Sequence, residues 1–129
     1  MSGLPWVKFY WSAWSSDPAL KLCSMAAQGF WMRMLCIAAE AEQVGYVMIN
    51  GRPLDLEDMA AAVERPKDEI AQHCGELLHW GVMRMDKVGR AYCPWMVADA
   101  VRASLRLRPG KIDAREAVAI GASSSRTRA

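Results

Sequence analysis

Two short segments of helical apolar periodicity, split by a proline and followed by a glycine-punctuated pair of β-prone runs, constrain this chain most. Leu56, Met59, Ala60 and Val63 fall at i, i+3, i+4 and i+7, the spacing of one helix face. Asp55 stands where an N-cap is needed. Glu64-Arg65-Pro66 then breaks the helix, because proline lacks an amide donor and restricts the residue before it. Ile70, Cys74, Leu77 and Leu78 mark a second helix over about 67–80, closed by Gly81. Val82 to Met85 and Ala91 to Cys93 read as a hairpin whose turn carries Gly89, and Pro94 ends its return strand.

The flanking segments extend the pattern. Ser24 reads as the N-cap of a central helix over about 25–43, with Ala27, Trp31, Met34, Ala38 and Ala41 on one stripe and Gly45 as its stop. Tyr46 to Ile49 reads as a brief strand before the turn pair Asn50-Gly51. Residues 95–107 form a last helix, ended by Arg108-Pro109-Gly110. Upstream, Trp6, Phe9, Tyr10, Trp11 and Trp14 suggest a short strand or extended aromatic arm. Pro18 then opens a short helix that runs to Leu22. The order is helix, strand, helix, turn, helix, strand, turn, strand, helix. The expected fold is therefore mainly α with a small β-hairpin: a winged helix-turn-helix with an N-terminal aromatic arm. The expected division is a winged-helix domain at 1–108 and a basic, disordered tail at 109–129, with a weak helical patch from Ala114 to Ile120.

Length and composition fit one domain with a real core, since the 129 residues are 53% hydrophobic. No apolar run approaches the roughly 20 residues of a membrane helix, and the N-terminus lacks a signal-peptide plan. The expectation is a soluble cytoplasmic protein. Cys23, Cys36, Cys74 and Cys93 are widely spaced without a CxxC pair, which favours reduced structural thiols over a zinc site or a disulfide. The net charge of +2 conceals an asymmetry, because residues 102–129 hold seven bases against two acids. A basic end of this kind can meet phosphate backbones or remain a solvated tail.

In a helix-turn-helix the helix after Pro66 enters the major groove. Gln72 and His73 are then the candidates for base edges, and Arg65 and Lys67 for phosphates. Glu69 and Glu76 oppose close phosphate approach. On the hairpin, Arg84, Lys87 and Arg90 offer cations against Asp86. Arg102, Arg106 and Arg108 extend the basic surface or complement the negative end of the last helix. The N-terminal aromatics are expected to pack on Trp31 and Trp95 rather than stack on bases. No phosphate loop, GxSxG, HExxH or DxDxDG pattern occurs, and the adjacent acid pairs point to different helix faces. No enzyme, metal or cofactor is expected.

The opening Trp6-Val-Lys-Phe-Tyr-Trp-Ser-Ala-Trp14 and the segment Ser24 to Cys36 resemble a phage and prophage family. Its members carry a W-x-K-F-Y-x-x-D-W opening followed by an A-x-G-x-W-x-x-L-L helix. Val44-Gly45-Tyr46-Val47 and Trp80-Gly81-Val82 resemble the family's later turns. Ala13 departs from it, standing where an acid is frequent. The family resembles the winged-helix N-terminal domains of phage replisome organisers and replication initiators. The resemblance implies duplex DNA as partner and a role in DNA replication initiation. A protein-interaction adaptor that binds a replication or host protein, and a transcriptional regulator, are the competing readings.

Overall fold

The computed structural model describes residues 7–106. The expected tail at 109–129, its patch at 114–120, and Arg108 lie outside the described residues. The elements in chain order are helices α1 (Trp11–Ser16), α2 (Pro18–Lys21) and α3 (Met25–Glu40), strands β1 (Met48–Ile49) and β2 (Arg52–Pro53), helices α4 (Leu56–Val63) and α5 (Lys67–His79), strands β3 (Arg84–Met85) and β4 (Ala91–Tyr92), and helix α6 (Pro94–Arg106). The described residues are mainly helical, with two small antiparallel hairpins.

Helix α3 forms the centre. Its N-cap is Ser24, whose hydroxyl accepts from the Ala27 amide. Ala27, Trp31, Met34 and Ala38 of its stripe are all buried, joined by Phe30 and Leu35. Helices α4 and α5 cover it with Met59, Ala60, Ile70 and Leu77. Asp55 forms a capping box with Asp58, each side chain accepting from the other's backbone amide. The Asp55 amide that donates to Asp58, and after it the Arg52 guanidinium, draw the Asp58 carboxyl below its usual range. Glu64 ends α4 in the left-handed region at φ 55°, which turns the chain into Pro66 and α5.

The hairpins share one segment. Tyr46 pairs with Tyr92, and Val47 donates to the Ala91 carbonyl at 2.9 Å. On its other side Val47 accepts from Leu54 at 3.1 Å. Residues 45–47 thereby tie the β3–β4 hairpin to the core. Gly45 makes this closure possible. At φ 101° a Cβ there would lie 2.5 Å from Val97 Cγ2 and 2.7 Å from the Val97 amide nitrogen, so only glycine lets α6 approach this segment. The Gly45 carbonyl then accepts from the Cys93 amide at 2.8 Å.

Three expectations need correction. The aromatic arm, expected as a short strand or an extended segment, has no strand over residues 7–10 and is helical beyond them. Trp11–Ser16 is helical, with Trp14 donating to the Tyr10 carbonyl and the Ser16 hydroxyl to that of Ser12. A helical turn gathers the rings better than an alternating strand: Phe9 lies 4.5 Å from Trp11, 5.8 Å from Trp14 and 6.2 Å from Trp95, centroid to centroid. The expected packing on Trp95 is present, and Tyr10 joins it at 5.7 Å. Helix α3 stops at Glu40, before the expected 43, because Ala41 is extended and the Gly45 amide returns to the Ala38 carbonyl. Finally, Asn50-Gly51 is a hairpin turn with both residues at positive φ, so the brief strand has a partner, Arg52–Pro53, that the sequence reading left out.

Candidate nucleic-acid interface

Helix α5 presents fewer recognition groups than expected. Gln72 is exposed. His73 is not, and this corrects its assignment as a base-reading residue. Its side chain is buried against Phe30, with ring centroids 6.1 Å apart. Ile70, His73 and Leu77 form the inward stripe at i, i+3 and i+7, so His73 shares the core face rather than the solvent face. Its Nδ1 has no hydrogen-bond partner; Glu76 Oε2 lies 3.9 Å away and Glu69 Oε2 lies 3.6 Å from Nε2, both too long for hydrogen bonds.

The two cations assigned to phosphates at this helix are each faced by a carboxylate. Arg65 holds Glu69 with two hydrogen bonds, at 2.7 and 3.0 Å. The pairing draws the Glu69 carboxyl below its usual range. Lys67 meets Glu57 of α4 at 3.2 Å. Glu76 acts in the interior architecture: it accepts from the Ser24 amide at 2.7 Å and the Ser24 hydroxyl at 2.8 Å. These bonds lower its pKa, the amide contributing most, and clamp α5 to the start of α3. The exposed residues of α5 are Lys67, Asp68, Ala71, Gln72, Gly75, Leu78 and His79.

The β3–β4 hairpin sorts its three cations differently. Arg90 is committed. Its Nε donates to Asp86 at 2.6 Å and its Nη1 to Gln43 at 2.7 Å, and its guanidinium carbon lies 4.5 Å over the Tyr46 ring. Asp86 in turn accepts from the Arg90 and Val88 amides, which with the Arg90 side chain hold its carboxyl low, the Arg90 amide first. Arg90 is therefore a structural pin where the turn closes. Arg84 faces an aromatic cavity that includes Trp80 and Trp95. Lys87, with neighbouring Val88, is exposed at the turn. Neither Arg84 nor Lys87 has a carboxylate partner among the described residues.

On α6, Arg102 pairs with Asp99, and the Arg106 Nε donates to the Arg102 carbonyl at 3.4 Å. Asp99 also accepts from the Tyr10 hydroxyl at 2.7 Å, which raises the Tyr10 pKa. Sequence reasoning placed neither Tyr46 under Arg90 nor Tyr10 on Asp99; both contacts join residues far apart in the chain and carry no local signal. The cysteines are free thiols. Burial pushes Cys74 up to about 11 and Cys93 up to about 12, which makes both poor nucleophiles. No helix among the described residues is long and apolar enough to cross a membrane. No protein-family model, curated protein or solved structure matches the chain.

Proposed function

We propose that the chain is a winged-helix DNA-binding protein of phage or prophage origin that acts in replication initiation. The order α3, residues 45–47, α4, α5, β3, β4 is compatible with a winged helix, with the bridge from Tyr46 to Tyr92 anchoring the wing. The single observation that carries the reading is the wing. Its turn is pinned to Tyr46 and Gln43 through Arg90, while Lys87 is exposed beside it with no carboxylate partner among the described residues. A rigid hairpin with a free cation at its end is suited to a phosphate backbone.

Duplex contact is led by this wing and by the segment beyond residue 106, where five bases stand against two acids. Gln72 is the remaining base-edge candidate on α5. Arg65 and Lys67 contribute only by exchanging a carboxylate for a phosphate, a feasible exchange because exposed ion pairs are weak. Arg84 is turned to the aromatic cavity and has no part in duplex contact.

One observation favours the competing adaptor reading. The outward face of α5 has no excess of cations and carries small residues at Ala71 and Gly75 beside Leu78, which is 41% exposed, a surface better suited to protein than to DNA. Anisotropy of a labelled duplex titrated with the full chain at several salt concentrations separates the two. DNA binding gives a logarithmic affinity that falls linearly with log salt, by about 0.9 per phosphate neutralised. Absence of binding at low salt sinks the DNA reading and leaves the adaptor.

A further inference from the structure

The aromatic flank holds a cavity of about 520 Å³, bounded by Phe9, Tyr10, Trp14, Trp80, Arg84 and Trp95 among others. That volume lies within the roughly 300–1,000 Å³ of small-molecule sites. Much of the aromatic surface is in reach of solvent, since Tyr10 and Trp80 are each 42% exposed. Trp80 follows α5 directly, and its ring is braced edge-on by His79 at 4.6 Å.

The charges around the cavity are not equivalent. Two carboxylates line it, and both are already occupied. Asp17 accepts from the Ala19 and Leu20 amides as the cap of α2, and Asp99 takes the Tyr10 hydroxyl and Arg102. Arg84 is the lining cation, and it has no carboxylate partner among the described residues. Its guanidinium lies over Gly81, where an added Cβ would sit 3.8 Å from Nη2. Exposed indole and phenol surface beside one uncommitted guanidinium is the pairing that an unpaired nucleotide requires. The rings stack on the base, and the cation meets the phosphate.

We infer that this cavity takes an unpaired base of single-stranded DNA, with Trp80 as stacking platform and Arg84 on the adjoining phosphate. The site is separate from the duplex contact led by Lys87, and the two readings fail independently. The test is anisotropy of a labelled twelve-residue oligothymidine with the full chain, run beside the labelled duplex. Trp80→Ala and Arg84→Ala are each expected to weaken the oligothymidine complex by about five- to a hundredfold while duplex affinity is retained. Circular dichroism checks that each variant is folded, and Arg84→Ala carries the test if Trp80→Ala is not. Folded variants that bind oligothymidine as the unsubstituted chain does would overturn the inference. So would an unsubstituted chain that does not bind it, or free thymidine monophosphate competing as well as the oligomer. Loss of duplex binding alone, with these oligothymidine effects intact, would remove the wing reading and leave this one standing.

Discussion

The α4–α5 pair and the β3–β4 hairpin both bring cations to the surface, yet they leave them in opposite states. Around α5, Arg65 and Lys67 each face a glutamate, and His73 is drawn into the core. On the hairpin, Arg90 alone is paired with an acid, and that pairing rigidifies the turn that presents Lys87. A count of positive residues treats the two regions alike. What separates them is where the carboxylates fall: Glu69 is four residues from Arg65, and Asp86 spends its oxygens on Arg90 and the turn amides. In the proposed reading, a cation that no carboxylate holds is the better placed to meet a phosphate.

The largest effects are expected on the buried side of α5. Leu77→Ala, at a position with no exposure, is expected to lose about 2–5 kcal/mol of stability. His73→Ala is expected to lose about 1–3 kcal/mol. Thermal melts measure both. For His73→Ala the duplex affinity of the folded fraction should be unchanged; weaker binding with an unaltered melting temperature would return His73 to the interface.

A smaller effect is expected at the clamp between α5 and α3. Glu76→Ala removes the acceptor of the Ser24 amide and hydroxyl and should cost on the order of 1 kcal/mol. The same bonds predict the acid response. Asp58, Glu69, Glu76 and Asp86 all have lowered pKa values in the fold. A carboxyl whose folded pKa is depressed contributes stability that is complete above its unfolded value and is lost as pH falls through the folded value. Melting temperature should therefore be level from neutrality to about pH 5 and fall below about pH 4. A flat profile to lower pH would mean that these bonds are not retained in solution.

The smallest effects concern the paired cations. Lys67→Ala should change duplex affinity less than twofold, measured by anisotropy at fixed salt, because Glu57 already offsets that charge. A larger loss would show that Lys67 abandons Glu57 for phosphate and would erase the contrast with Lys87.

The helices were legible because their signals are local. Asp55, Ser24 and Pro66 fix helix starts, and the bounds of α4 fall where the apolar spacing puts them. The hairpin after Gly81 was legible for the same reason. The aromatic arm was not, because the same residues favour a strand in isolation and a helical turn once Trp95 supplies a ring to pack on. His73 was misread because Glu69 and Glu76 flank it and suggest a polar face. Its register with Ile70 and Leu77 at i+3 and i+7 places it inward. The pairing of Arg65 with Glu69 lies at i, i+4 and was available from spacing alone. The pairing of Lys67 with Glu57 crosses the α4–α5 turn and needed the fold.

In the proposed reading the wing tip, not the outward face of α5, leads duplex contact. Two full-chain variants test it most directly: Lys87→Glu and Gln72→Ala, compared as salt-dependent anisotropy titrations of one labelled duplex. The prediction is that Lys87→Glu weakens binding at every salt concentration and reduces the salt slope by about one. Gln72→Ala should leave the slope unchanged and alter affinity by much less. A full slope for Lys87→Glu, with the larger loss at Gln72→Ala, would contradict the account and make α5 the reading element after all.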